Sequence, residues 1–296
     1  MKRKAAFLFA VVMLLLSCVF LVLTGDNSTK PSEEDIILID GSLVEIEPPM
    51  NQTMADYAVR LFGIINDEHL SSNDCYFVLI PDKYKYLADK KAEYDEFYSY
   101  MSKSLSFATA IDVYDLLDAS DYYRTDPHIK QECLVDVANR ILESTGREYT
   151  TRYEENTVDT PFYGTYAHRS DLSVTPDELV YLTNDTIDNL YTAEGVSIYN
   201  FKKLDTDEPY DFFLSGNQTI VTINNENAQT DKRLIIFRDS FASSLAPLLC
   251  EGYSQVVLVD LRYIMSEYLV DFVDFENADV LFLYSTTVMN NSFSMK

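Results

Sequence analysis

Two uninterrupted apolar runs, Arg233–Asp239 (RLIIFRD) and Gln255–Arg262 (QVVLVDLR), flank a helix-like stretch, SFASSLAPLLCEG. Parallel strands need a crossover of about a dozen residues, and a right-handed helical return supplies it, so this pattern predicts a βαβ unit. Strands apolar at every position are covered on both faces. The unit therefore restricts the chain to α/β architectures with a parallel sheet.

Other segments extend the alternation. CYFVLIPD, Cys75–Asp82, is a short apolar run bounded by breakers and predicts another buried strand; ADVLFLYS, Ala278–Ser285, predicts a last one. Between them KYKYLADKKAEYDEFYSYMSKSL reads as helix, and ATAIDVYDLL as strand or short helix. Ile129, Cys133, Leu134, Val137, Ala138, Ile141 and Leu142 recur at three and four residues, one face of a helix over HIKQECLVDVANRILESTG. MADYAVRLFGIIND also reads helical, after an extended DIILIDGSLVEIEPP. No long linker or repeat interrupts the pattern, so residues 35–296 are expected to form one α/β domain.

The beginning of the chain follows different rules. Lys2, Arg3 and Lys4 precede Ala5 to Thr24, 20 residues without a charge. At about 1.5 Å per residue that stretch spans a bilayer core of about 30 Å. The expectation is a transmembrane anchor or long signal over residues 1–24 with a cytoplasmic tip, and the body outside the cell membrane. No A-x-A cleavage site follows, which favours an uncleaved anchor. LLSC ending at Cys18 resembles a lipoprotein site, but Val19 to Leu23 continue apolar. Residues 25–34, GDNSTKPSEE, read as a flexible stalk.

All 48 acidic residues follow residue 24. Without the three N-terminal cations 20 of 23 basic residues remain, so the exported part carries a formal charge of −28. Such a surface excludes nucleic acid and makes anionic lipid a poor partner, because phosphate contacts need concentrated Lys and Arg. Cys75, Cys133 and Cys250 are scattered and odd in number, with neither a disulfide framework nor zinc spacing. Cys75 and Cys133 are expected to be buried small hydrophobes.

Three short stretches could carry chemistry. Asp239 and Ser240 sit where an expected strand meets a helix, and α/β sheets bind ligands beyond the carboxyl ends of their strands. Ser240 reads as a nucleophile near a helix N-terminus, and equally Asp239 or Ser240 as an N-cap. Of three histidines, only His128 has a carboxylate placed to orient it locally, Asp126 in TDPHI. Pro127 disfavours helix at Asp126, and in an extended backbone residues i and i+2 point the same way, so Asp126 could orient the imidazole. The alternative is an N-cap and N1 pair for the following helix. His168, in PFYGTYAHRS, is a rival base, and His69 is expected on the surface. In FLSGNQ, Gly216 allows close backbone approach and Asn217 offers an amide donor; together they read as part of an oxyanion hole or as a turn.

These pieces in this order, Asp-x-His, Gly-Asn, then Asp-Ser at a strand-to-helix join, resemble the SGNH (GDSL-like) hydrolase superfamily. They are most similar to the branch containing alginate O-acetyltransferase proteins and membrane-anchored DHHW proteins of Gram-positive bacteria. VLIPDKYKYL looks like that branch's early strand with its Pro and Lys, and FYGTYAHR like its central Gly segment. FLSGNQTIVTINN, LIIFRDSFASSLAPLL and VVLVDLRYI continue the similarity in order. The resemblance implies an SGNH-like, flavodoxin-like three-layer sandwich. It also implies Ser240 as nucleophile, His128 as base, Asp126 as its orienting carboxylate, and Gly216 with Asn217 at the oxyanion. The activity implied is an O-acetyltransferase or esterase on a cell-surface glycan, served by a separate membrane-bound acyltransferase as acetyl donor, so that neither a soluble cofactor nor a metal is expected. Pro127 and Ile129 replace the first His and the Trp of the named motif, and Ile129 removes an aromatic that could shape the substrate pocket. A catalytically silent glycan-binding or assembly protein is the alternative. Five Asn-x-Ser/Thr sites (Asn27, Asn51, Asn184, Asn217, Asn290) would matter in a eukaryotic secretory pathway.

Overall fold

Strand β1 (Ile36–Ile39) pairs antiparallel with β2 (Ser42–Glu45), so the extended segment expected before the first helix folds into a hairpin. The computed structural model describes residues 36–46, 50–147 and 152–296. The expected anchor at 1–24 and stalk at 25–34 lie outside them; among the described residues no helix is long and apolar enough to cross a membrane.

After the hairpin the chain runs through α1 (Gln52–His69), β3 (Cys75–Ile80), α2 (Lys91–Ser104), β4 (Thr109–Ala110) and α3 (Val135–Ser144). A second hairpin joins β5 (Glu154–Thr157) to β6 (Val180–Thr183), followed by β7 (Tyr191–Thr192) and β8 (Ile220–Asn224). The final third is β9 (Arg233–Arg238), α4 (Ala242–Leu249), β10 (Gln255–Val259) and β11 (Ala278–Ser285). Seven strands form the central sheet in the order β4-β3-β11-β9-β10-β8-β7. The pairs from β4 to β10 are parallel, and β8 and β7 close the far edge antiparallel. The βαβ unit is therefore β9-α4-β10, with Gln255 opposite Arg233.

All eight residues of β11 are buried, which requires cover on both faces of the sheet. On one face Phe62 of α1 packs against Phe282 and Tyr284, two residues apart on β11. Helices α3 and α4 contact each other, and α4 contacts β10. Each large apolar side chain buried in these layers contributes about 1.5–3 kcal/mol. The long helical reading after β3 is interrupted at Asp89, which takes a positive φ of 53° between the short helix Tyr84–Leu87 and α2.

One consequence of the order matters for chemistry. Because β8 is antiparallel to β10, Ile220 at its start lies opposite Val259, and Val259 opposite Phe237. The loops after β3, β9, β10 and β11 and the loop before β8 thus share one edge of the sheet. Asp82, Ser240, Asp260 and Thr286 all follow strand ends there, and Gly216–Asn217 precede β8.

Candidate active site

Ser240 is the second residue beyond β9. It does not cap α4: that helix begins after Phe241 without any side-chain cap. The turn before α4 is set by Asp239, which is fully buried; its Oδ1 accepts the Phe241 N–H at 3.0 Å. Its Oδ2 accepts both the N–H and the hydroxyl of Ser285 at 2.7 Å, tying the end of β9 to the end of β11. An aspartate closing its own backbone two residues on is an Asx-turn, and it leaves the Ser240 hydroxyl for another partner.

That partner is His128, whose Nε2 lies 2.8 Å from Ser240 Oγ. Its Nδ1 lies 2.6 Å from Asp126 Oδ1, which also accepts the His128 N–H at 3.0 Å. Asp126 caps no helix: it lies in a bend, and the next helical turn, Gln131–Leu134, has Lys130 at its N-cap. Tyr122 and Ile129 form an antiparallel bridge, closed further by the Tyr123 N–H donating to the His128 carbonyl, and residues 124–128 bend tightly inside it. The helix begins later, with a 3-10 turn at Gln131–Leu134 before α3. Pro127 sits inside this tight loop, a position that suits its fixed φ.

Asp126 is fully buried, and its second oxygen accepts the Thr165 N–H at 2.8 Å. Burial pushes its carboxyl up, but the charge of the adjacent His128 and the hydrogen bonds from His128 and Thr165 outweigh it and hold it below the usual carboxylate value. Gly164 makes the approach possible: a Cβ there would meet the Asp126 side chain at 2.2–2.7 Å. Asp177 pins the preceding turn by accepting the Arg124 and Thr125 N–H groups and the Thr125 hydroxyl at 2.7–2.9 Å.

The imidazole is also held on its faces. Tyr210 stacks on it with ring centroids 3.6 Å apart and planes within 1°, and Phe241 packs at 4.8 Å. The Tyr210 hydroxyl is hydrogen bonded to Ser244 Oγ at 2.7 Å. Burial keeps that phenol protonated well past neutrality, so its ring presents a neutral face to His128. An imidazolium in this position gains from the ring's negative face.

The Gly-Asn segment has an unusual backbone. Leu214, Ser215 and Gly216 all have positive φ, 54°, 61° and 83°. For Leu and Ser the left-handed region costs about 1–2 kcal/mol each. The bend is held by Leu214 N–H donating to Ile198 O at 3.0 Å and Asn200 Nδ2 donating to Ser215 Oγ at 2.8 Å. Gly216 is needed there, since a Cβ would collide with the Asp211 carboxylate at 2.1 Å. Its N–H donates to Phe213 O at 3.3 Å and is thus engaged within the turn. Asn217 is exposed, and among the described residues neither its side-chain amide nor the Ser240 N–H has a hydrogen-bond acceptor. The neighbouring Gln218 carbonyl accepts from Arg238 at 3.4 Å, which anchors this loop beside the end of β9.

The other histidines lie elsewhere. His168 closes the short helix Thr165–His168 and makes no contact with Ser240 among the described residues. His69, expected on the surface, is mostly covered and stacks on Phe275 at 5.8 Å. Ile129 is buried in the core next to the site, so its side chain fills the interior and does not line a substrate surface. Cys75 and Cys250 are buried and Cys133 is half-buried; all three are free thiols. No group of side chains suited to hold a metal occurs among the described residues. Sequence reasoning missed Tyr210 and Thr165, which support His128 and Asp126 from distant segments and carry no local signal; Lys83 lies in VLIPDKYKYL, whose resemblance did not show its role.

No family model matches the chain, and neither does any curated protein. Solved structures do. A DHHW family protein from Eubacterium siraeum superposes with a TM-score of 0.69 at 20% identity, covering 88% of this chain and 92% of that one. Bacillus cereus PatB1 with a sulfonyl adduct gives 0.67 at 17% identity, covering 86% and 95%. The O-acetyltransferase domain of Pseudomonas putida AlgJ gives 0.54 at 10%, covering 86% and 92%. The chain has the fold of these proteins. The similarity runs over nearly their whole lengths, as the order of the motifs implies.

Proposed function

We propose that the protein is a serine-dependent O-acetyltransferase or esterase acting on a cell-surface polysaccharide, with Ser240 as nucleophile, His128 as general base and Asp126 as its orienting carboxylate. The observation that carries this reading is the unbroken relay from Ser240 Oγ through both nitrogens of His128 to Asp126, at 2.8 and 2.6 Å. A silent glycan-binding protein has no use for such a relay. The fold shared with an O-acetyltransferase domain supports the same class of chemistry.

In the first half-reaction Ser240 Oγ attacks the acyl carbonyl while its proton passes to His128 Nε2. The imidazolium is held by Asp126 and by the face of Tyr210. The Ser240 N–H and the Asn217 amide are the available donors for the developing oxyanion. Gly216 serves by bending the loop, since its own N–H is engaged. Collapse expels the donor's alcohol, which takes the proton from Nε2 and leaves acyl-Ser240. A sugar hydroxyl or water then gives its proton to Nε2 and attacks the acyl carbon; the bond to Ser240 Oγ breaks, Oγ takes the proton back from Nε2, and ester or acid is released. Exposed Tyr163, beside Gly164, is suited to stack on a sugar ring.

The acidic surface, together with the uncharged span at Ala5–Thr24, supports an anchored location outside the cell membrane, with a membrane-bound acyltransferase delivering acetyl groups. The test is release of a chromogenic phenol from its acetate ester by the full-length protein. Ser240→Ala and His128→Ala should each lose most of the turnover while melting like the parent. Equal background rates in all three would favour the binding protein instead.

A further inference from the structure

Lys83 lies three residues past β3 and is 2% exposed, one of the largest fully enclosed side chains in the molecule. Its Nζ donates to three main-chain carbonyls: Tyr123 at 2.8 Å, Asp126 at 3.0 Å and Arg124 at 3.4 Å. All three belong to the bent loop that carries Asp126 and His128, and an ammonium has three N–H donors to give. We propose that Lys83 is a positioning residue for acyl transfer: its ammonium clamps residues 123–126 in the bend that aims His128 at Ser240, and loss of its charge relaxes that aim. This rests on the acyl-transfer reading of Ser240 and His128.

Other contacts hold different groups of the loop: Asp177 accepts its N–H groups, and the Thr165 N–H holds the Asp126 side chain. The Arg124 carbonyl is shared, since it also accepts the Leu43 N–H at 2.8 Å, while those of Tyr123 and Asp126 accept from Lys83 at 2.8 and 3.0 Å. The charged and titratable groups around Lys83 are Asp82 on its own segment, Asp126 and Asp177 across the loop, with Arg124 on Asp177, and the Tyr166 ring at 5.1 Å. Burial lowers the ammonium to about 7 against the pull of Asp126, Asp177 and Asp82, which places its charge change close to neutrality. A neutral amine has two N–H groups and a lone pair, so one of the three carbonyls would face that lone pair and the loop would shift. A displacement of about 1 Å at a reacting group costs about 100-fold in rate.

The test uses the full-length protein and a sulfonyl fluoride that labels Ser240, read by intact mass, beside acetate-ester turnover. Lys83→Met keeps the length and removes the donors. The expected result is a fall of about 100-fold in both kcat and labelling rate with KM unchanged, and loss of any ionisation near neutrality from the alkaline arm of the pH profile. Parent-like labelling and kcat in a folded Lys83→Met protein would overturn the clamp while leaving the triad intact. Absence of Ser240 labelling in the parent at any pH would overturn both. If Lys83→Met does not fold, the parent decides: its labelling rate must fall with the titration of Lys83 followed by the 13Cε resonance, and a rate flat through that titration overturns the clamp.

Discussion

The two ends of the central sheet each bury a carboxylate, and they treat it differently. At the amino end Asp279, 1% exposed on β11, faces Lys232 at 3.0 Å, Arg147 at 3.3 Å and the Tyr253 hydroxyl at 3.0 Å. At the carboxyl end Asp126, equally buried, faces one imidazole and two N–H groups. Arg147 and Lys232 place two cations on Asp279, so this carboxylate is neutralised by its neighbours. His128 is a partner that can gain and lose a proton, and its far nitrogen reaches a hydroxyl beside solvent. Burial of a carboxylate therefore says little about function; the chemistry of its partner separates a structural pair from a working one.

Removing the hydroxyl is the sharpest way to test the contrast. Ser240→Ala should reduce ester turnover by roughly 10⁴-fold or more, without moving the melting temperature. Asp126→Asn, assayed the same way, should cost about 10³–10⁴-fold, because an amide can hold the imidazole in the wrong tautomer. At the other end, Asp279→Ala should leave kcat of the folded protein unchanged but destabilise it by about 3 kcal/mol in urea titration, since Arg147 and Lys232 retain some solvent. A parent-like urea midpoint for Asp279→Ala would break the comparison, as would a large loss of kcat. Gly164→Ala is a finer probe: the new methyl must displace Asp126, so kcat should fall by about 10–100-fold with the fold retained.

The pH dependence of stability separates Asp126 from Lys83 by the window in which each acts. The Asp126 carboxyl is held below its ordinary value in the folded protein, so its contribution is present above that ordinary value and disappears as pH falls through the depressed one. Lys83 acts with the same sign in a higher window: with its folded value lowered from 10.5 to about 7, the unfolded chain binds the extra proton between them. Its contribution to stability should therefore rise with pH across that window, while the proposed loop geometry loosens. Urea midpoints against pH for the parent and for Lys83→Met read this directly; a curve of the same slope in both would remove Lys83 from the account.

Much of this was legible in the chain. Apart from Asp279 near the start of β11, the apolar runs at β3, β9, β10 and β11 have no charged residue in their interiors, and that pattern dictates a sheet covered on both faces. Local order in the sequence also determined that Ser240 follows a strand and that Asp126 stands two residues before His128. Only the tertiary structure decided what those residues face. The antiparallel return of β8, the bent loop from Tyr123 to His128, the stacking of Tyr210, and the reach of Lys83 across 40 residues and more join segments with no periodicity between them. Hydrophobic patterning specifies which face of an element is buried. The direction of a buried hydrogen bond is chosen only once the surrounding backbone has closed and every polar group has had to find a partner.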